Sequence, residues 1–298
     1  MNCSFFRSLI YFLSLFVAII IILLLSLTLL YSKGLHYNLD KNVRTLVVGN
    51  SHPQCAINDS LFGNCKNFAR AGEPFIYLQF KLEKLLVDNP QVDRVILEIS
   101  DHEFKHQLRN WIYKPMVVES AVKAYWAFWP IDFHQQMFSV IGLKYFSYLL
   151  LGQQKYLISL MQLEEEFFDQ LSWGGFKNSK VHFDAKKKEE SQVIKSVKCD
   201  SLFQPVSENF FAFKRIQEIC DKYNKEIVFI RCPIHISKPN CFQSDYKRLI
   251  GESLEIKVLD FRDFPLLDED FADEEHLNGQ GAFKFTSMLK DTLSKIME

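Results

Sequence analysis

Arg44-Thr45-Leu46-Val47-Val48-Gly49-Asn50-Ser51-His52-Pro53 is an apolar run of strand length that stops abruptly at a turn. Its lack of polar alternation predicts a strand buried on both faces, as in a parallel sheet. The same pattern returns at Val92–Ile99, which ends at Ser100-Asp101, and at Glu226–Cys232 and Lys257–Phe261, each preceded by a helical segment. A further short run is Lys66-Asn67-Phe68-Ala69, and Phe75, Leu78, Leu82 and Leu85 stand at helical spacing within a helix expected over 75–88. Short apolar strands alternating with helices predict an α/β fold with a mostly parallel sheet covered on both faces.

The 298 residues suffice for one substantial α/β domain or two small ones with a buried core. Lys and Arg total 35 against 36 Asp and Glu, so no basic face for nucleic acid is expected. With 24% charged residues, 11 Gly and 9 Pro, the chain is neither disordered nor fibrous. Seven Cys without a CxxC pair exclude a cysteine-rich zinc site or a thioredoxin-like motif. Cys55/Cys65 and Cys232/Cys241 are candidate disulfides if the main body lies outside the cytoplasm.

Upstream, Ser8–Ser32 is 25 residues without a charge, dominated by Ile, Leu and Phe. About 20 apolar residues cross a bilayer, and no small-x-small cleavage site follows, so the stretch reads as an uncleaved single-pass anchor. The lipid bilayer is the first partner implied. Arg7 on one side and Lys33, Lys41 and Arg44 on the other leave orientation open by charge alone. Residues 44–298 then form the main domain. Residues 104–200, rich in Trp, Phe and Tyr, break the strand–helix rhythm and are expected to be a helical insertion. Its apolar run Met137–Leu151 contains Lys144 and is too short to span a bilayer; it predicts a helix packed on its own domain, or less simply one resting on a membrane.

Ser51 stands at the carboxyl end of the first strand, where α/β sheets place their ligand sites. A serine needs a neighbouring base to act as a nucleophile. Asp273-Glu-Glu-His276 offers one, because a carboxylate three residues from an imidazole can fix its tautomer and stabilise its cation. The plain alternative is an acidic surface loop, since eight acids fall within 260–275.

Together these stretches resemble the SGNH/GDSL hydrolase superfamily over most of 44–103 and 226–295. The likeness is to its membrane-anchored branch, related to D-alanyl transfer proteins, that acts on cell-envelope glycans. Gly49-Asn50-Ser51 is similar to the first block, which makes Ser51 the nucleophile. Asn67-Phe-Ala69-Arg-Ala-Gly72 is similar to the second, whose glycine N–H helps bind the oxyanion. Asp273-x-x-His276 is similar to the fifth, with His276 as base and Asp273 orienting it. The third block departs: Glu98-Ile99-Ser100-Asp101 stands where the family has Gly-x-Asn-Asp, leaving Ser100, His52 or a backbone N–H to complete the oxyanion hole.

The resemblance implies a flavodoxin-like three-layer α/β/α sandwich, parallel strand order 2-1-3-4-5, beside the transmembrane helix and helical insertion. It also implies a serine esterase or O-acyltransferase on an extracytoplasmic face. Such an enzyme acts on acyl groups of envelope polysaccharide or lipid-linked glycan, with no metal or organic cofactor. A catalytically silent accessory protein for a membrane-embedded acyltransferase is the alternative. His102-Glu103-Phe-Lys-His106 also fits the zinc-peptidase pattern, but follows a buried strand where a long ligand-bearing helix is not expected. His235 falls on the same sheet edge after the fourth strand and is expected to be an ordinary loop histidine.

Overall fold

The computed structural model describes residues 3–34, 37–100, 103, 108–152, 173–183, 207–237 and 258–296. Within them five strands, β1 (Thr45–Val48), β2 (Cys65–Asn67), β3 (Arg94–Glu98), β4 (Glu226–Arg231) and β5 (Val258–Asp260), form one sheet in the order β2-β1-β3-β4-β5. Every pairing is parallel. The expected α/β class and strand order are therefore present, with boundaries moved by one or two residues at strand ends.

Two packed layers follow from the two-residue period of the strands. Leu46, Val48, Val95, Leu97 and Phe229 point to one face, and Val47, Ile96 and Ile230 to the other. The first face is covered by α3 (Phe75–Asp88) and α7 (Ser207–Lys222), which pack on each other. The second is covered by α2 (Ser51–Ala56) and α8 (Gly279–Ile296). Because β1 lies between β2 and β3, the chain leaves it toward opposite sides, and a crevice opens at the strands' carboxyl ends.

Residues 108–152 of the insertion are largely helical, with α4 (Leu108–Ile112), α5 (Pro115–Tyr125), a 3-10 turn at Trp126–Phe128, α6 (Ile131–Ile141) and a helical stretch over 144–152, whereas its described residues 173–183 are extended or irregular and form no helix. It packs on the α3 side through aromatic contacts, among them Tyr77 stacked on Trp129 at 5.6 Å and Phe80 against Phe133 at 4.7 Å. The run Met137–Leu151 is not one helix. Gly142 ends α6 with a φ of +70°, a conformation that glycine adopts freely, and the helix restarts at 144. The insertion's charged stretch Lys186-Lys-Lys-Glu-Glu190 lies outside the described residues.

At the amino end, α1 (Cys3–Gly34) is a 32-residue helix. Its described side chains run unbroken only over 5–20, and among the described residues no helix is long and apolar enough to cross a membrane. Cys55 and Cys65 are not bridged; both are buried free thiols, as are Cys220 and Cys232. They sit in the core as small apolar side chains, which is why proximity in sequence misleads here. Cys241 lies outside the described residues.

Candidate active site

β1 delivers Gly49-Asn50-Ser51 to the crevice, and α2 begins at Ser51 itself. Asn50 caps that helix: its Oδ1 accepts the His52 N–H at 2.9 Å. Gly49 is required by space. Its φ is +142°, and a Cβ there would lie 3.0 Å from Pro53 and 3.1 Å from Glu98. The peptide bends sharply between β1 and α2, turning the Ser51 hydroxyl toward the cleft.

The opposing wall comes from the C-terminal loop. Phe271 and Leu277 form an antiparallel bridge, and Ala272 N–H donates to His276 O at 2.8 Å, closing a tight loop around Asp273. Asn278 secures its base, capping α8 through Gln280 N and Gly281 N while donating to Phe271 O. His235, after β4, donates its backbone N–H to Glu274 O at 3.0 Å. Its ring is buried, bonded to Ser237 and Asp268, so it braces the loop and does not face a substrate.

These two loops bring three distant residues together. His276 Nε2 lies 2.8 Å from Ser51 Oγ, and His276 Nδ1 lies 2.9 Å from both oxygens of Asp273. A carboxylate only accepts, so Nδ1 carries the proton and Nε2 accepts from the serine hydroxyl. Asp273 is itself fixed by the N–H groups of Glu275 and His276, at 2.8 and 3.0 Å. The arrangement is that of an activated nucleophile, its base and the base's orienting acid. No protein-family model matches the chain. No curated protein matches it either.

A cleft of about 480 Å³ opens over Ser51, walled by Asn50 and His52 after β1, by Glu275 of the C-terminal loop, by Gly72, Glu73 and Pro74, and by Glu103, Leu108 and Trp111 beyond β3. Gly72 has a φ of +68°, and its N–H donates to no group among the described residues. Its carbonyl accepts from Trp111 Nε1 at 3.0 Å. The loop carrying Gly72 is anchored below by a buried cluster. Lys81 Nζ bonds Glu73, Phe68 O and Trp173 O, and Tyr125 donates to Glu73 at 2.6 Å. Burial lowers the Lys81 ammonium to about 8, against the pull of Glu73.

Other expected site residues are placed differently. Asn67 is wholly buried, its amide donating to Pro53 O and Ile57 O while its Oδ1 accepts from Ala69 N–H. Every polar atom of that side chain is used in holding the loops, so it lies behind the site. Ser100 is also buried, its Oγ accepting from Asn50 Nδ2 at 2.7 Å, and Asn50 stands between it and the cleft. His52 does line the cleft. Its Nδ1 faces Glu98 Oε1 at 3.2 Å and its ring meets that of His276 edge-on at 5.6 Å. Burial opposes a charge on His52, but Glu98, with Glu275 and Glu103, holds its pKa above the ordinary value.

Glu103 was legible in sequence only within the zinc-peptidase pattern. Its carboxylate is taken by Asn50 and Asn209, each at 3.1 Å, and burial pushes it up to about 7. His102 and His106 lie outside the described residues, and among the described residues no three His, Cys, Asp or Glu side chains are grouped to hold a metal. Trp111 and Glu275 carried no motif in the sequence; only the folded cleft brings them to Ser51.

Proposed function

We propose that this chain is a membrane-anchored serine esterase or O-acyltransferase of the SGNH kind, acting on acyl groups of a cell-envelope polysaccharide or lipid-linked glycan. The observation that carries the chemistry is the 2.8 Å contact of Ser51 Oγ with His276 Nε2, continued to Asp273. Ser51 Oγ attacks the ester carbonyl carbon while its proton passes to His276 Nε2. The carbonyl oxygen becomes an oxyanion facing the Gly72 N–H, and Asp273 stabilises the imidazolium. Collapse expels the alcohol, which takes the proton from His276 and leaves acyl-Ser51. Water or an acceptor hydroxyl then gives its proton to His276 and attacks the acyl carbon, and the acyl carbon–Oγ bond breaks as Ser51 Oγ takes that proton back from His276. Exclusion of water from the cleft separates transfer from hydrolysis.

The resemblance supplies the substrate class and the extracytoplasmic side, and the 25 uncharged residues Ser8–Ser32 within α1 support anchorage. Four buried thiols are compatible with that compartment: burial raises Cys55 to about 11 and Cys232 well above its ordinary value, so the reactive thiolate is scarce.

One observation favours a second reading, a catalytically silent accessory protein for a membrane acyltransferase. Ser100, at the family's third-block donor position, is covered by Asn50 and does not reach the cleft. Labelling of the detergent-solubilised chain with a fluorophosphonate decides between them. The enzyme labels as wild type and not as Ser51→Ala or His276→Ala; a folded wild type that stays unlabelled supports the accessory protein.

A further inference from the structure

Apolar side chains stand uncovered at two places, on α1 and at the tip of the insertion. On α1, residues on every side of the helix are exposed, from Phe5 through Leu23, which is the pattern of a helix surrounded by an apolar medium. At the insertion tip, Phe133, Met137 and Tyr145 turn inward. The opposite side exposes Phe138, Val140, Leu143, Phe146 and Leu150, with Leu143 79% exposed. Phe138 and Phe146 meet across the Gly142 turn at 5.3 Å, so the two helical pieces present one continuous surface. Between Gln135 and Leu151 the only formal charge is Lys144. A contiguous apolar surface of this kind marks a contact with a partner or a membrane.

What lies beside the patch identifies the occupant. Three residues after α1 ends, Tyr37 is locked into the domain. Its N–H donates to Asp88 at 3.0 Å, its carbonyl accepts from Asn89 at 2.6 Å, and its ring packs on Trp173 at 5.2 Å. Three residues reach at most about 10 Å, so the domain has no slack by which to swing away from the end of α1. Trp173 in turn meets Phe128 at 5.7 Å, within the 3-10 turn against which α1 packs. That turn leads through Trp129 and Pro130 directly into α6. The apolar tip is thereby held next to the place where the anchor meets the domain.

We propose that α6 and the helical stretch 144–152 form a second membrane element, seated in the boundary between headgroups and acyl chains of the bilayer that α1 enters. This rests on reading α1 as an anchor. The apolar side chains enter the acyl region, and Lys144 extends its ammonium to the headgroups. Two attachments, one spanning and one interfacial, fix the orientation of the domain, and a rigid domain then holds the Ser51 cleft at a set height for an ester carried on a lipid.

The full-length chain, reconstituted in phosphatidylcholine–phosphatidylglycerol vesicles containing a phospholipid with a diazirine in its acyl chain, tests this after illumination and peptide mapping. Crosslinks in both α1 and 131–151 are the expected result. Crosslinks in α1 without any in 131–151 overturn the seated tip and leave the anchor standing; crosslinks in neither overturn the anchor, and the seating with it. In a Leu143→Glu/Phe146→Glu variant, labelling of 131–151 falls to background while α1 labelling persists. Undiminished labelling of 131–151 in that variant also overturns the proposal.

Discussion

Ser51 lies beside two carboxylate–histidine pairs of the same chemistry and opposite placement. Asp273–His276 is built on a loop, with side chains 57% and 25% exposed, and its free imidazole nitrogen touches the serine hydroxyl. Glu98–His52 is built at the end of β3 and the start of α2, with side chains 2% and 8% exposed, and its closest tie to the first pair is the edge-on contact of the two rings. Burial separates their functions. An imidazole that gives and takes a proton in each turnover needs both protonation states within reach. Burial works against a charge on the His52 imidazole, but Glu98 beside it raises its pKa, so the balance in the cleft wall leans toward the charged form.

The largest effect that tests this contrast is on the exposed pair. On the proposed mechanism, Ser51→Ala or His276→Ala lowers ester turnover by roughly 10⁶-fold, as loss of either member disables the whole unit. Asp273→Asn, which forces the wrong tautomer, lowers kcat on the order of 10⁴-fold. Steady-state hydrolysis of an activated short-chain ester measures both. If Glu98→Gln proved as damaging as Asp273→Asn, the assignment of roles to the two pairs would have to be reversed.

Glu73–Lys81 extends the contrast to full burial, where a pair serves the fold. Lys81→Met leaves Glu73 with only the more distant Arg70, 3.8 Å away, and costs about 3 kcal/mol of stability, the lower end for breaking a buried pair. Adding Glu73→Gln recovers part of this, because the buried carboxylate that lost its nearer cation is gone. Denaturant unfolding of both variants reads the difference, and additive losses would show that the pair is not coupled.

The next effect is a pH dependence of stability. Glu103 binds its proton with a pKa of about 7 when folded, above its unfolded value, so its contribution is complete at acid pH and is lost as pH rises through 7. His52 is also raised and acts in the same direction. Lys81, lowered to about 8, alters the balance only in more alkaline solution. The melting temperature therefore falls between pH 5 and pH 8. Over that range Glu103 contributes on the order of 2 kcal/mol of the loss in stability, and Glu103→Gln flattens the slope; a wild-type melting temperature that rises over this range would contradict the buried protonated carboxyl.

Smallest is the effect of Glu98→Gln on turnover, expected below about 10²-fold, the lower range for losing an oxyanion donor. It changes the charge of His52 without touching Ser51. Its signature is a shift of the alkaline limb of the pH–rate profile to lower pH, since His52 loses its main charge partner.

The local features were legible because short-range physics fixes them. Apolar runs without alternation marked β1, β3 and β4, helical spacing marked Phe75–Asp88 at both ends, and Asp273-x-x-His276 closes within one loop whatever surrounds it. Pairing of Ser51 with His276 was reached through resemblance and not from spacing, since 225 residues separate them. Features that depend on what packs against a side chain were not legible. Asn67 and Ser100 carry the right groups for an oxyanion hole, yet Asn67 is spent on internal hydrogen bonds and Ser100 is buried beneath Asn50, away from the cleft lining. Cys55 and Cys65 are close in sequence but packed as free thiols, and the run Met137–Leu151 gave no sign that Gly142 would divide it. The sequence by itself determined the strands, the helix periods, the uncharged stretch and the chemical kinds present. Only the tertiary structure decided which of those groups face the cleft and which are buried away from it, because orientation and solvent access are properties of contacts between distant segments and not of any one segment.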